Sequence, residues 1–241
     1  MSKSIIVTGA GAGIGESIAR RADDAGYKVG VLDVNKEAAE AVASSLANGV
    51  ALHASTADPD QVKQALDKFG EAPNALVNNA GIVRFGPLIN LSLQDWKSVL
   101  EVNLTGVFIC SQAVANLMKN NGGGAIVNMT SIAGIQPNVN GGSYGSGKAC
   151  LHLLTRQMSV EWGGFGIRIN SVAPGFIDGG MSAPIFEDTE IRNTREERVP
   201  SRRLGTVEDV AHEVEVRLAV EHELDRVVLQ QGQQDLRFGG A

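Results

Sequence analysis

Cysteines, histidines and runs of one charge are all scarce in this chain of 241 residues. Its two cysteines, Cys110 and Cys150, are too few for a disulfide scaffold. Both sit in apolar helical patterns, so the expectation is two buried thiols in a reducing compartment. The four histidines are scattered without metal-ligand spacing, which leaves no metal site to propose. No stretch of lysines and arginines suggests nucleic acid, and the formal net charge is −6 with a pI near 5.3. Arginines do gather between Arg192 and Arg203, but glutamates are interleaved among them, as on a solvated helix or loop. No apolar run approaches the roughly 20 residues needed to span a membrane. The chain opens M-S-K-S-I-I-V-T-G, so a strand begins at once and leaves no room for a signal peptide. Repeats, linkers and low-complexity tracts are absent too. With 43% hydrophobic residues, the expectation is a cytoplasmic protein of one α/β domain over residues 1–241.

The stretch from Ser131 to Lys148 carries the chemistry. Tyr144 and Lys148 are four residues apart, one turn of a helix, so their side chains project from one face. A tyrosine with its ordinary pKa of about 10 is a poor base at neutral pH. A neighbouring ammonium favours the phenolate, and lowering the pKa by roughly three units takes about 4 kcal/mol. Ser131 adds a hydroxyl able to donate to a carbonyl or alkoxide oxygen. Such a trio moves a proton on an alcohol or ketone and needs a hydride acceptor beside it. Taken alone, Y-x-x-x-K equally describes a solvated helix face.

The N-terminus supplies the partner. Strand Ser4–Thr8 runs straight into G-A-G-A-G-I-G, where Gly9, Gly13, Ile14 and Gly15 open a helix. Such a turn lets backbone N–H groups and a helix dipole approach a pyrophosphate. Asp33 ends the second strand, Lys28–Asp33, twenty residues beyond Gly13. A carboxylate there accepts from the ribose hydroxyls of NAD and repels the 2′-phosphate of NADP, although Lys36 is nearby.

Alternating strands and helices then predict a doubly wound parallel sheet, a Rossmann fold. Asn79-Ala80-Gly81 follows a strand at its ligand-binding end. A helix expected from Leu93 to Lys119 is interrupted at Asn103-Leu104-Thr105-Gly106, either tolerated by packing or bulged. Residues 176–205 show no clear strand. With Phe176, Ile177, Met181, Ile185 and Phe186 they are expected to form a lid over the substrate, with one or two short helices.

In concert these motifs resemble the short-chain dehydrogenase/reductase family, in its single-domain, NAD-preferring branch, over Ile5 to about Ala211. Thr8–Gly15 matches the cofactor turn, Asn78-Asn79-Ala80-Gly81 the N-N-A-G motif, and Asn103 the helix asparagine. Ser131 matches the catalytic serine, Tyr144 with Lys148 the Y-x-x-x-K, and Pro174-Gly175 the P-G after the sixth strand. The resemblance implies that Tyr144 is the general acid/base and that Lys148 holds the nicotinamide ribose and lowers the tyrosine pKa. It implies that Ser131 orients the substrate oxygen and that Asn103 holds a water relaying protons to Lys148. It also implies a homotetramer, or a homodimer, built on helices near Leu100–Lys119 and Ser146–Trp162. Three places depart from the pattern. Ser55, followed by Thr56, stands where an aspartate meets adenine. Gly179 replaces a carboxamide-binding threonine, leaving that task to Ile177 and backbone groups. From Val214 the usual V-T-G turn and D-G-G are missing. Val227–Leu229 could be a short strand there, or Val214, Leu218, Leu224 and Val228 could line a longer helix.

The expected activity is NAD(H)-dependent interconversion of a secondary alcohol and its ketone. The substrate is expected among Ile82, Ser131, Ile135, Asn138, Phe176, Met181 and Ile185. The alternatives are an NADPH-dependent 3-oxoacyl-carrier-protein reductase and a non-catalytic dinucleotide-binding sensor or assembly subunit. Neither nucleic acid nor membrane is expected as a partner.

Overall fold

The computed structural model describes residues 3–219. Six parallel strands form one sheet in the order β3-β2-β1-β4-β5-β6. They are β1 (Ser4–Thr8), β2 (Lys28–Asp33), β3 (Gly49–His53), β4 (Ala75–Asn78), β5 (Gly124–Met129) and β6 (Ile167–Val172). The helices are α1 (Gly13–Asp24), α2 (Lys36–Ser45), α3 (Pro59–Phe69), α4 (Leu93–Leu100), α5 (Gly106–Met118), α6 (Tyr144–Trp162), α7 (Thr189–Arg198) and α8 (Val207–Ala219).

All five residues of β1 are buried, as expected of a strand covered on both faces. Its side chains alternate between two cores. Ile5 and Val7 join Ile18 and Ala19 of α1, Val42 of α2 and Val210 and Val214 of α8. Ile6 faces the other way, with Phe69 of α3, Cys110, Val114 and Met118 of α5 and Met158 of α6. The winding reverses between β1 and β4, which are paired neighbours, and a crevice opens beyond their carboxyl ends. The glycine turn and Asn79-Ala80-Gly81 both emerge there.

Between α4 and α5 the helix widens into one π-helical turn, Glu101–Thr105, closed by the Gly106 N–H donating to the Glu101 carbonyl. Of the two readings of Asn103–Gly106, the bulge is the one adopted. Gly106 is required by close approach, since a Cβ there would lie 2.7 Å from Thr56 Oγ1. The whole helical run Leu93–Met118 is 26 residues long and apolar enough to cross a membrane by length and composition. The sequence reading of no such run is corrected on that point. Val99, Val107, Cys110, Val114 and Met118 are nevertheless packed inside the protein.

The segment after Pro174 does contain strand structure, against expectation. Ile177–Asp178 (β7) pairs in parallel with Gly205–Thr206 (β8), which pins the two ends of the excursion together. Between them lie a 3₁₀ turn, Gly180–Ile185, and α7, N-capped by Asp188. Arg192 ties the two, donating to Asp178 Oδ2 at 2.7 Å and to the Phe186 carbonyl at 3.1 Å.

Cys110 is buried but Cys150 is exposed, so only one of the two thiols was placed correctly. On α6 the sheet-facing positions are Gly147, Lys148, Leu151, Thr155 and Met158, and Cys150 falls between them. Val214 is buried in α8, and Leu218 packs against the same core. Arg168 of β6 caps this helix, donating to the Leu218 carbonyl at 2.8 Å. The alternatives for Leu224, Val228 and Val227–Leu229 lie outside the described residues.

Candidate active site

The cleft beyond β1 and β4 has a volume of about 430 Å³. Its floor is the glycine turn. Gly9 and Gly13 have φ of 64° and 58°, the left-handed region that favours glycine. A Cβ on Gly15 would sit 2.1 Å from the Gly9 carbonyl oxygen. α1 starts at Gly13 behind Ala12, which makes no side-chain cap, so its first N–H groups keep their bonding capacity for a ligand. The turn is tied to the neighbouring loop, because Asn79 Nδ2 donates to the carbonyls of Thr8 (3.0 Å) and Gly9 (3.1 Å). Thr8 Oγ1 in turn accepts from the N–H groups of Asn79 and Ala80, each at 3.0 Å. These bonds make one rigid rim out of two loops. A cradle with no room for a Cβ, above an uncapped helix start, fits a dinucleotide phosphate.

At one end of the cleft Asp33 is held in place by the N–H groups of Gly11 and Asn35, both at 2.9 Å. Each carboxylate oxygen keeps a lone pair for a ribose hydroxyl. Ser55 and Thr56 line the same end. The Ser55 hydroxyl is partly engaged, accepting from the Ala57 N–H at 3.3 Å. This region suits an adenosine.

At the other end are Ser131, Tyr144 and Lys148. Ser131 follows β5, while Tyr144 opens α6 and Lys148 lies one turn on. Lys148 Nζ is 5.6 Å from the centre of the Tyr144 ring. Contrary to expectation, the tyrosine pKa is raised. Burial pushes it up, and the hydrogen bond from Ser131 draws it only partly back. The same desolvation acts on Lys148, lowering it to about 8. Desolvation is the largest cause for both groups. A buried phenol of this kind is a proton donor at neutral pH.

The cleft brings together Gly9, Ile14, Asp33, Ser55, Thr56, Asn79, Ala80, Gly81, Ser131, Tyr144, Lys148, Pro174, Gly175 and Ile177, with Ile82 and Met181 beside them. Gly13 and Gly15 shape the turn from behind; Gly13 lies so close to the 3₁₀ turn that a Cβ would meet Gly180 Cα at 2.7 Å. Asn103 is fully buried behind the wall. Its amide is paired with Ile82, accepting from that N–H and donating to that carbonyl, both at 2.8 Å.

Four expected substrate-pocket residues do not line the cleft. Ile135 is 60% exposed to solvent. Asn138 instead forms a turn, its carbonyl accepting from the Gly141 N–H at 3.3 Å. The Phe176 ring meets the Arg195 guanidinium at 4.7 Å, and Ile185 belongs to the 3₁₀ turn beside the buried Phe186. Loop sequence does not encode the direction of these side chains. Residues the sequence reading missed include Val34, Met129 and Ser182, which line the cleft.

The chain matches the family model for short chain dehydrogenase over residues 3–190. It is 39% identical to the 3-oxoacyl-[acyl-carrier-protein] reductase FabG of Staphylococcus epidermidis over 223 residues, 89% of this chain and 90% of the relative. Among solved structures it resembles a putative NAD(P)-dependent gluconate 5-dehydrogenase from Beutenbergia cavernae with bound NADP. The TM-score is 0.84 at 30% identity, covering 91% of this chain and 90% of the other. It also resembles the 3-ketoacyl-(acyl-carrier-protein) reductase of Brucella melitensis complexed with NADH, with a TM-score of 0.83 at 26% identity and 91% of each chain covered. With its nucleotide cradle and its serine, tyrosine and lysine in one cleft, the chain belongs to the short-chain dehydrogenase family of oxidoreductases.

Proposed function

We propose that this protein reduces a 3-oxoacyl thioester to the 3-hydroxyacyl thioester with NADH. The observation that carries the reading is the placement of Ser131, Tyr144 and Lys148 in the same cleft as the nucleotide cradle. A protonated Tyr144 phenol is in the form that a ketone reduction requires. Similarity to the Staphylococcus reductase supports the substrate class and moves the balance to what had been the alternative reading.

The nicotinamide, when bound, supplies hydride from C4 to the carbonyl carbon. Ser131 donates to the carbonyl oxygen and orients it. Tyr144 gives its hydroxyl proton to that oxygen as negative charge develops there, and the two donors stabilise the alkoxide. Lys148 places positive charge beside the phenol and, when the ribose is present, bonds its hydroxyls. Asn103 positions the Ile82 wall.

The choice of NADH rests on Asp33 at the ribose end. The two structural relatives were solved with NADP and with NADH, so this fold accommodates either. A second reading, NAD-linked oxidation of a secondary alcohol, is favoured by the same aspartate. Exposed Phe108 on α5 and Leu153 and Val160 on α6 support the homotetramer inferred from the family; sedimentation velocity would measure it.

The test compares initial rates with acetoacetyl-CoA and acetoacetyl-carrier protein plus NADH or NADPH, against a panel of secondary alcohols plus NAD. Faster turnover of the thioesters upholds the proposal, and the better of the two names the carrier. Turnover confined to the alcohols returns the assignment to the second reading.

A further inference from the structure

Apolar packing sets how far a helix lies from a sheet, but it is non-directional and leaves the helix free to slide or roll slightly. That freedom matters here. Tyr144 and Lys148 ride on α6, while Ser131 and the Met129 carbonyl belong to the end of β5. A chain of buried polar side chains, none of which lines the cleft, spans the gap. Asn78 ends β4, Asn128 is its register partner on β5, and Thr155 faces them from α6. They are 2%, 0% and 4% exposed.

The bonds run in one direction. Asn78 Nδ2 donates to Asn128 Oδ1 at 2.8 Å and to Ser111 Oγ of α5 at 2.9 Å. Asn128 Nδ2 donates to Thr155 Oγ1 at 3.0 Å, and the Thr155 hydroxyl donates to the Leu151 carbonyl at 2.7 Å. A strand covered on both faces of a parallel sheet is ordinarily aliphatic at such positions. The polar choice has a cost, because Asn78 Oδ1 is buried with no hydrogen-bond partner among the described residues. What the set adds over aliphatic packing is direction.

We propose that Thr155, acting through Asn128, is a positioning residue that fixes the height and roll of α6 over β5 and so the approach of Tyr144 to Ser131. Asn128 immediately precedes Met129, whose carbonyl accepts from Lys148 Nζ at 2.5 Å. Thr155 lies seven residues beyond Lys148, two turns along the same face. The strand is therefore pinned to the helix at two points, Asn128 to Thr155 and Met129 to Lys148. Removing one leaves the helix able to pivot about the other.

The chain has only two tyrosines, Tyr27 and Tyr144, so a protein labelled with ¹³Cζ-tyrosine gives two resonances, assigned with Tyr144→Phe. Thr155→Val keeps the shape of the side chain and removes the acceptor; Thr155→Ser keeps the hydroxyl. In Thr155→Val the Tyr144 resonance should move by more than its linewidth while that of Tyr27 stays, and Thr155→Ser should bring it back. The kinetic arm rests on the reductase reading: kcat should fall about tenfold, with the KM for cofactor nearly unchanged, as for a small misplacement of a reacting group. A Tyr144 resonance unmoved in Thr155→Val overturns the proposal, whatever happens to the melting temperature. Should that variant not fold, Thr155→Ala, which also removes the hydroxyl, is read by the same criterion. Absence of wild-type turnover would strike only the reductase reading, since the resonance needs no substrate.

Discussion

Lys148 Nζ donates to the main-chain carbonyl of Met129 at 2.5 Å, in surroundings that leave the lysine 4% exposed. One carbonyl does not replace the water that such a charge loses, and burial lowers the lysine pKa to about 8. The charge is kept at a cost to folding.

Lys148→Met should therefore abolish activity and yet stabilise the fold. The unfolded lysine titrates near 10.5 and the folded one near 8, so below pH 8 the folded state carries a penalised cation. The penalty is fully present there and fades as pH rises toward 10.5. The variant should gain on the order of 2–3 kcal/mol at pH 7, with the gain shrinking through pH 8–10. Urea unfolding at a series of pH values would measure it; a variant less stable than wild type at pH 7 contradicts this account.

Asn103→Ala leaves the Ile82 N–H and carbonyl without their partners. A buried group left unsatisfied costs about 1–3 kcal/mol. For a chain of this size the melting temperature should fall by roughly 2–4 °C per kcal/mol. Cofactor affinity should weaken too, because Ile82 forms part of the cleft wall. Calorimetry with and without NADH separates the two effects.

Replacing Asp33 by Ala should narrow the preference for NADH over NADPH by about 10–100-fold, the range for hydrogen bonds to a charged group. The ratio of kcat/KM for the two cofactors is the readout. An unchanged ratio would mean that the carboxylate does not face the ribose.

Gly15→Ala places a methyl group 2.1 Å from the Gly9 carbonyl oxygen, and the obstacle is backbone. The turn must shift to admit it. NADH affinity should drop tenfold or more, with roughly 1–3 kcal/mol lost from stability. Isothermal titration would show the first effect and thermal unfolding the second.

How much of this was written in the chain depends on what kind of signal each feature leaves. A parallel sheet follows from alternating elements, and Gly9, Asp33 and Ser131 converge because they lie at or just beyond strand ends, while Tyr144 and Lys148 share one face of α6. Asn103 was placed correctly in a break of the helix, but the reciprocal bonds that absorb its side chain depend on a loop twenty-one residues away. The tyrosine pKa was expected to fall because charge is visible in a sequence, whereas desolvation emerges only from packing. Ile135, Asn138, Phe176 and Ile185 went astray for a related reason: loop residues near the site in sequence can point anywhere. Two-residue strands such as β7 and β8 leave no periodicity to read.

The central claim is that Tyr144 delivers the proton in a hydride reduction. It is tested most directly by single-turnover reduction of acetoacetyl-CoA by bound NADH, wild type beside Tyr144→Phe, with NADH affinity measured on both. Equal affinity and a reduction rate lower by about 10²–10⁴-fold are expected in the variant. A variant that reduces the thioester at the wild-type rate would contradict that claim.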